Sequence, residues 1–105
     1  MIQGTTPLLH YNLSFPSSLI KEAEITLQYS DMNKNVLIVK TLKNGECELG
    51  ETSISARLTQ EETLKLPAPA TAQTQLRIVT TDNAVLATEP YLIKVKELLK
   101  KDVIE

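Results

Sequence analysis

The chain has 105 residues, 42% of them hydrophobic, and its 16 Leu, 8 Ile, 6 Val and 12 Thr with one Phe and no Trp suit a single domain of β-strands around an aliphatic core. Eleven basic against thirteen acidic residues give a formal charge of -2, so no cationic surplus exists to neutralise a nucleic-acid backbone or to hold an anionic membrane. No apolar run approaches the ~20 residues of a membrane-spanning helix, and the opening Met1-Ile2-Gln3-Gly4-Thr5-Thr6-Pro7 lacks the regions of a signal peptide, so a soluble protein made in the cytoplasm is expected.

Alternation of apolar and polar residues dominates the chain. Leu9, Tyr11, Leu13 and Phe15 share one face of a first strand that Pro16 closes. Ala23, Ile25, Leu27 and Tyr29 repeat the pattern opposite Glu24, Thr26 and Gln28, giving the clearest strand in the sequence. Ser30 to Asn35 is rich in turn residues, and Val36 to Thr41 then reads as a strand apolar on both faces. Asn44-Gly45 marks a tight turn and Gly50-Glu51 another break, which leaves Glu46 to Leu49 as a short strand. Ile54, Ala56 and Leu58 alternate with Ser53, Ser55 and Arg57 in the next one.

Thr59 and Glu62 stand three residues apart, a spacing that lets each side chain satisfy a free amide of the other, so Thr59 to Thr63 is expected to form a single helical turn. Pro67-Ala68-Pro69-Ala70 is a stiff connector within the domain. Thr74, Leu76, Ile78 and Thr80 then oppose Gln73, Gln75, Arg77 and Val79 in a strand that turns at Thr81-Asp82-Asn83-Ala84. Val85 to Val95 returns as a long strand with Tyr91, Ile93 and Val95 inward, and Pro90 predicts an interruption or a sheet edge there. Residues 1–96 thus form one antiparallel immunoglobulin-like β-sandwich of six to seven short strands, with a small barrel as the competing architecture, and residues 97–105 form a tail or short helix.

Chemistry-bearing residues are few. Asp31, Asn33 and Asn35 match the opening ligands of a calcium loop, but Val36 stands where its glycine belongs and Leu42 where its closing glutamate belongs, so a polar turn is the expectation. Cys47, the only cysteine, cannot form an internal disulfide, and Glu46 and Glu48 on either side should raise its thiol pKa rather than activate it. The only histidine, His10, alternates with apolar neighbours and is expected to face solvent. Glu61 and Glu62 fit the positive start of a helical turn, and Glu46, Glu48 and Glu51 a solvated acidic surface. Asn12-Leu13-Ser14 has the form of a glycosylation sequon without a secretory signal before it. No catalytic residue, cofactor, metal or small-molecule substrate is inferred. The candidate interface consists of Val36 and Ile38, if their strand lies at an edge with Lys40 as its only protecting charge, and of Leu98 and Leu99 in the tail, which can fold onto the sandwich or onto a neighbour.

The order Leu58-Thr59-Gln60-Glu61-Glu62-Thr63, Gln73-Thr74-Gln75-Leu76-Arg77-Ile78, Asp82-Asn83, Ala87-Thr88-Glu89-Pro90 and Ile93-Lys94-Val95 resembles small proteins encoded by phages and prophages of Gram-positive bacteria. It is also similar to the N-terminal immunoglobulin-like domain of phage baseplate upper proteins. Met1 to Pro7 and Ser18-Leu19-Ile20-Lys21 extend the resemblance over nearly the whole chain. The resemblance implies a non-enzymatic virion or assembly component whose partners are phage structural proteins or further copies of itself. Synthesis in the cytoplasm is expected, and the resemblance makes the protein a candidate for incorporation in the virion. A host-directed or regulatory binding module carried by a prophage is the alternative reading.

Overall fold

The computed structural model describes residues 1–100, 103 and 104. Its elements in chain order are β1 (Leu8–Asn12), a 3-10 turn (Ser17–Leu19), β2 (Ile20–Ser30), β3 (Asn35–Thr41), β4 (Cys47–Gly50), β5 (Ser53–Arg57), α1 (Gln60–Leu64), β6 (Ala70–Thr80), β7 (Val85–Ala87) and β8 (Tyr91–Val95). Every pairing between named strands is antiparallel. One sheet has the order β1-β5-β4, and the other runs β3-β2-β6, with β7 and β8 both on the far side of β6. The architecture is an all-β sandwich of two antiparallel sheets.

Period-two patterning explains the core. Leu9 and Tyr11 of β1, Ile54 and Ala56 of β5 and Cys47 of β4 face inward from the smaller sheet. They meet Ala23, Ile25 and Leu27 of β2, Ala72, Leu76 and Ile78 of β6, and Val95 of β8 in one buried cluster. Tyr11 also crosses between the sheets, its hydroxyl 3.0 Å from Thr74 Oγ1 and its ring centroid 5.8 Å from that of Tyr91. Burial pushes the Tyr11 phenol pKa up, more than the Thr74 hydrogen bond lowers it.

Three features depart from the sequence expectation. The first strand stops at Asn12 instead of reaching Phe15, although Leu13 and Phe15 still pack against the core. Its partner β5 begins at Ser53, and beyond that register the contact continues only through irregular bonds, from Leu13 N–H to the Thr52 carbonyl and from Ser17 N–H to the Glu51 carbonyl, both 2.8 Å. The long return strand is two strands, which brings the total to eight. Arg77 opposes Ala87 but Thr74 opposes Tyr91, so three residues of the return segment span two of β6 and the register slips by one. Pro90, which has no N–H, sits in that interruption, while Thr88 fills the gap by donating its amide to the Leu76 carbonyl and accepting the Leu76 amide on Oγ1. Tyr91 does share the inward face with Ile93 and Val95, yet it is 59% exposed because it lies at the sheet margin.

The helical turn forms as its spacing predicts. Thr59 Oγ1 accepts the Glu62 amide at 3.1 Å, and Glu62 Oε1 accepts the Thr59 amide at 2.8 Å. Replacing Thr59 with Ala removes one half of this reciprocal cap and should cost about 1 kcal/mol of stability, read as a lower denaturation midpoint at unchanged slope. In the tail, residues 97–100 carry no helix, and part of the expected tail or helix, at Lys101, Asp102 and Glu105, lies outside the described residues.

Candidate functional site

Sheet geometry first decides which candidate residues meet. His10 lies opposite Ser55 in β5, whereas Cys47 lies opposite Ala56. Because neighbouring residues of a strand point to opposite faces, Cys47 faces the core with Leu9 while His10 is exposed on the outer face. They are therefore two strands apart and on opposite sides of the sheet, where they cannot act as nucleophile and base. Burial is the main cause that pushes the Cys47 thiol pKa up, and the Glu46 and Glu22 charges add to it against a smaller lowering by Lys40. Glu48, expected to contribute, lies on the outer face opposite Ser55.

The Asp31 turn also has an internal explanation. Asp31 Oδ1 accepts the amides of Asn33 and Lys34, both at 2.7 Å, and Oδ2 accepts the Tyr29 hydroxyl at 2.6 Å. The Tyr29 hydrogen bond, followed by the two amides, holds the Asp31 carboxyl below the usual carboxylate range. Among the described residues no group of three His, Cys, Asp or Glu is placed to hold a metal ion, and no helix is long and apolar enough to cross a membrane.

The candidate interface strand β3 is an edge strand, bonded to β2 alone in its sheet. Its side chains divide between the two faces in a way that corrects the sequence-based choice of residues. Val36 and Ile38 point into the core and are 7% and 6% exposed. Leu37 and Val39 are the outward pair, 65% and 40% exposed. The residues named as interface candidates thus support the edge from behind.

Hydrogen-bond parity shows what the edge offers. Leu42 donates its amide to Ala23 of β2, and the register places Lys40 opposite Ile25 and Ile38 opposite Leu27. In an antiparallel ladder the N–H and C=O groups of alternate residues point to opposite sides, so Val36, Ile38 and Lys40 bond β2 while Asn35, Leu37, Val39 and Thr41 turn theirs outward. Thr41 is closed by Glu46, whose amide donates to the Thr41 carbonyl at 3.1 Å and whose Oε1 accepts the Thr41 amide at 3.1 Å. The main-chain groups of Asn35, Leu37 and Val39 meet no hydrogen-bond partner among the described residues.

Lys40, expected to be the one charge protecting this edge, lies on the inward face of the strand. It is buried, 7% exposed, and its Nζ lies 2.9 Å from Glu62 Oε2. An inward charge of this kind discourages the continuation of a sheet at its edge residue while tying β3 to α1. Burial pushes the Glu62 carboxyl pKa up, but the hydrogen bond from Lys40, the Thr59 amide and the Lys40 charge together outweigh it and hold the carboxyl lower than usual. A carboxyl lowered on folding contributes stability that is present above its unfolded-state pKa and is lost as the pH falls through the lower folded-state value. The protein should therefore be less stable to urea at pH ~3 than at pH ~7, and Glu62→Gln should narrow that difference. Lys40→Ala, which leaves Glu62 without its charged partner, should cost about 1.5–3 kcal/mol at neutral pH.

The tail and the N-terminus meet at one end of the sandwich. Gln3, buried and not singled out by the sequence, donates from Nε2 to the Leu66 carbonyl and accepts the Leu98 amide on Oε1 at 3.3 Å. Gly4 has φ of 72°, which favours glycine, and a Cβ there would come within 2.7 Å of Leu98 Cδ2, a contact that a shift of the leucine side chain can relieve. Gln60 bonds both the amide and the carbonyl of Ile104, which returns the tail to α1. Of the two tail candidates, Leu98 is half-buried against this end and Leu99 is fully exposed. A buried glutamine that joins segments distant in sequence leaves no periodic signal to find it by. Comparisons of the chain with family models, with curated proteins and with solved structures find no match.

Proposed function

We propose that this chain is a non-enzymatic phage or prophage structural or assembly protein that works by protein–protein binding, and that the edge of β3 is where a partner docks. The observation that carries this reading is the main chain of Asn35, Leu37 and Val39, without a hydrogen-bond partner among the described residues, beside the exposed side chains of Leu37 and Val39. An extended segment added there gains main-chain hydrogen bonds and apolar contact together, as in recognition by strand addition. The sequence resemblance supplies the phage setting, including a place in or near the baseplate. The strand orders β1-β5-β4 and β3-β2-β6-β7 support the immunoglobulin-like form, since they correspond to B-E-D facing C′-C-F-G.

The test uses Leu37→Pro. The Leu37 amide points away from β2, so proline removes an outward donor without removing a bond of the ladder, and Leu37→Lys serves as a second variant that keeps the backbone unchanged. Particles and assembly intermediates purified from an induced lysogen that encodes the protein should contain the wild-type chain and lose both variants. Absence of the wild-type chain from particles and intermediates alike, or wild-type incorporation of both folded variants, would contradict the proposal.

A further inference from the structure

Charges around the β3 edge narrow the kind of partner that fits it. The groove between β3 and α1 is lined by Lys34, just before β3, and by Glu62 and Lys65 of the α1 segment. Glu62 is already paired with Lys40, and the Asp31 carboxylate directs its hydrogen bonds into its own turn while its charge acts on Lys34 beside it. The edge presents two exposed cations, Lys34 and Lys65, beside the exposed apolar pair Leu37 and Val39.

A second copy of β3 is a poor occupant. The symmetric register that uses every free outward group places Leu37 opposite Leu37 and Asn35 opposite Val39. It also brings Asn33 of each copy to the position of Thr41, where Glu46 already closes the edge. A single short strand that leaves the sheet before Thr41 does not meet this obstacle.

Resting on the reading of β3 as a docking edge, we infer that its occupant is a short extended segment of a different polypeptide, apolar at alternate positions and acidic at its ends, and not a second copy of this chain. The carboxylates reach Lys34 and Lys65, while the alternate apolar side chains lie beside Leu37 and Val39.

Fluorescence anisotropy of the full chain with two labelled peptides of about seven residues tests this. Both carry valine at alternate positions, one with glutamate and the other with lysine at its ends. At low salt the glutamate peptide should bind about tenfold tighter, and at about 0.5 M salt the difference should shrink. The Lys34→Glu/Lys65→Glu double variant should reverse the preference, Leu37→Pro should abolish binding of either peptide, and sedimentation should show the chain alone as a monomer. Equal affinity for the two peptides, with binding abolished by Leu37→Pro, would overturn the acidic partner and leave the docking edge standing. A dimer dissolved by Leu37→Pro would overturn it in favour of a second copy. No binding of either peptide by a monomeric chain would overturn the partner and the docking edge together.

Discussion

Ile25→Ala should lower the stability of the folded chain by about 2–5 kcal/mol, the cost of removing buried carbon atoms and leaving a cavity. Ile25 is 0% exposed and sits in the middle of β2, paired with Lys40 of β3 on one side and Leu76 of β6 on the other. Neither neighbour can collapse into the space without disturbing a ladder, so the upper half of that range is expected. Stabilities of ordinary domains are about 5–15 kcal/mol, and the loss should appear as a large fall in the urea midpoint. The outward Gln28→Ala, in the same strand, should change stability by no more than about 0.5 kcal/mol. Equal effects at the two positions would contradict the assigned faces.

Lysine substitutions at adjacent β3 positions should have opposite outcomes. Ile38→Lys places a second charge beside buried Lys40 on the inward face, where Glu62 is already engaged, and should cost about 3–5 kcal/mol. Leu37→Lys places its charge on the outward face, where the effect on stability should stay within about 0.5 kcal/mol while docking is lost. Thermal denaturation of the two variants checks the first half of the contrast, and anisotropy with the glutamate-ended peptide checks the second. A folded Ile38→Lys of near-wild-type stability would show that its side chain does not face the core.

Period-two patterning made most strands legible because it reports local burial directly. Ile25, Leu76 and Ile78 face the core as their alternation implies, and Thr59 with Glu62 forms the cap that their spacing demands. Strand order is different, since it depends on pairings between residues far apart in sequence. The apolar run from Val36 to Val39 therefore looked alike whether central or peripheral, and the choice of Val36 and Ile38 over Leu37 and Val39 rested on a face that only the register with β2 defines. Pro90 did signal the break between β7 and β8, but the one-residue slip around Thr88 follows from hydrogen bonds to Leu76 that no local pattern encodes. The inward placement of Lys40 was not legible, because its partner Glu62 comes from another element and a lysine in a strand is ordinarily exposed.

Residue-resolved amide hydrogen exchange of the isolated chain tests the free edge of β3 most directly. The outward amides of Leu37 and Val39 should exchange much faster than those of Ile38 and Lys40, which are bonded to β2, so that protection alternates along the strand. Uniformly high protection from Val36 to Lys40 would mean that the edge is already covered, and the account of β3 as a docking site would be contradicted.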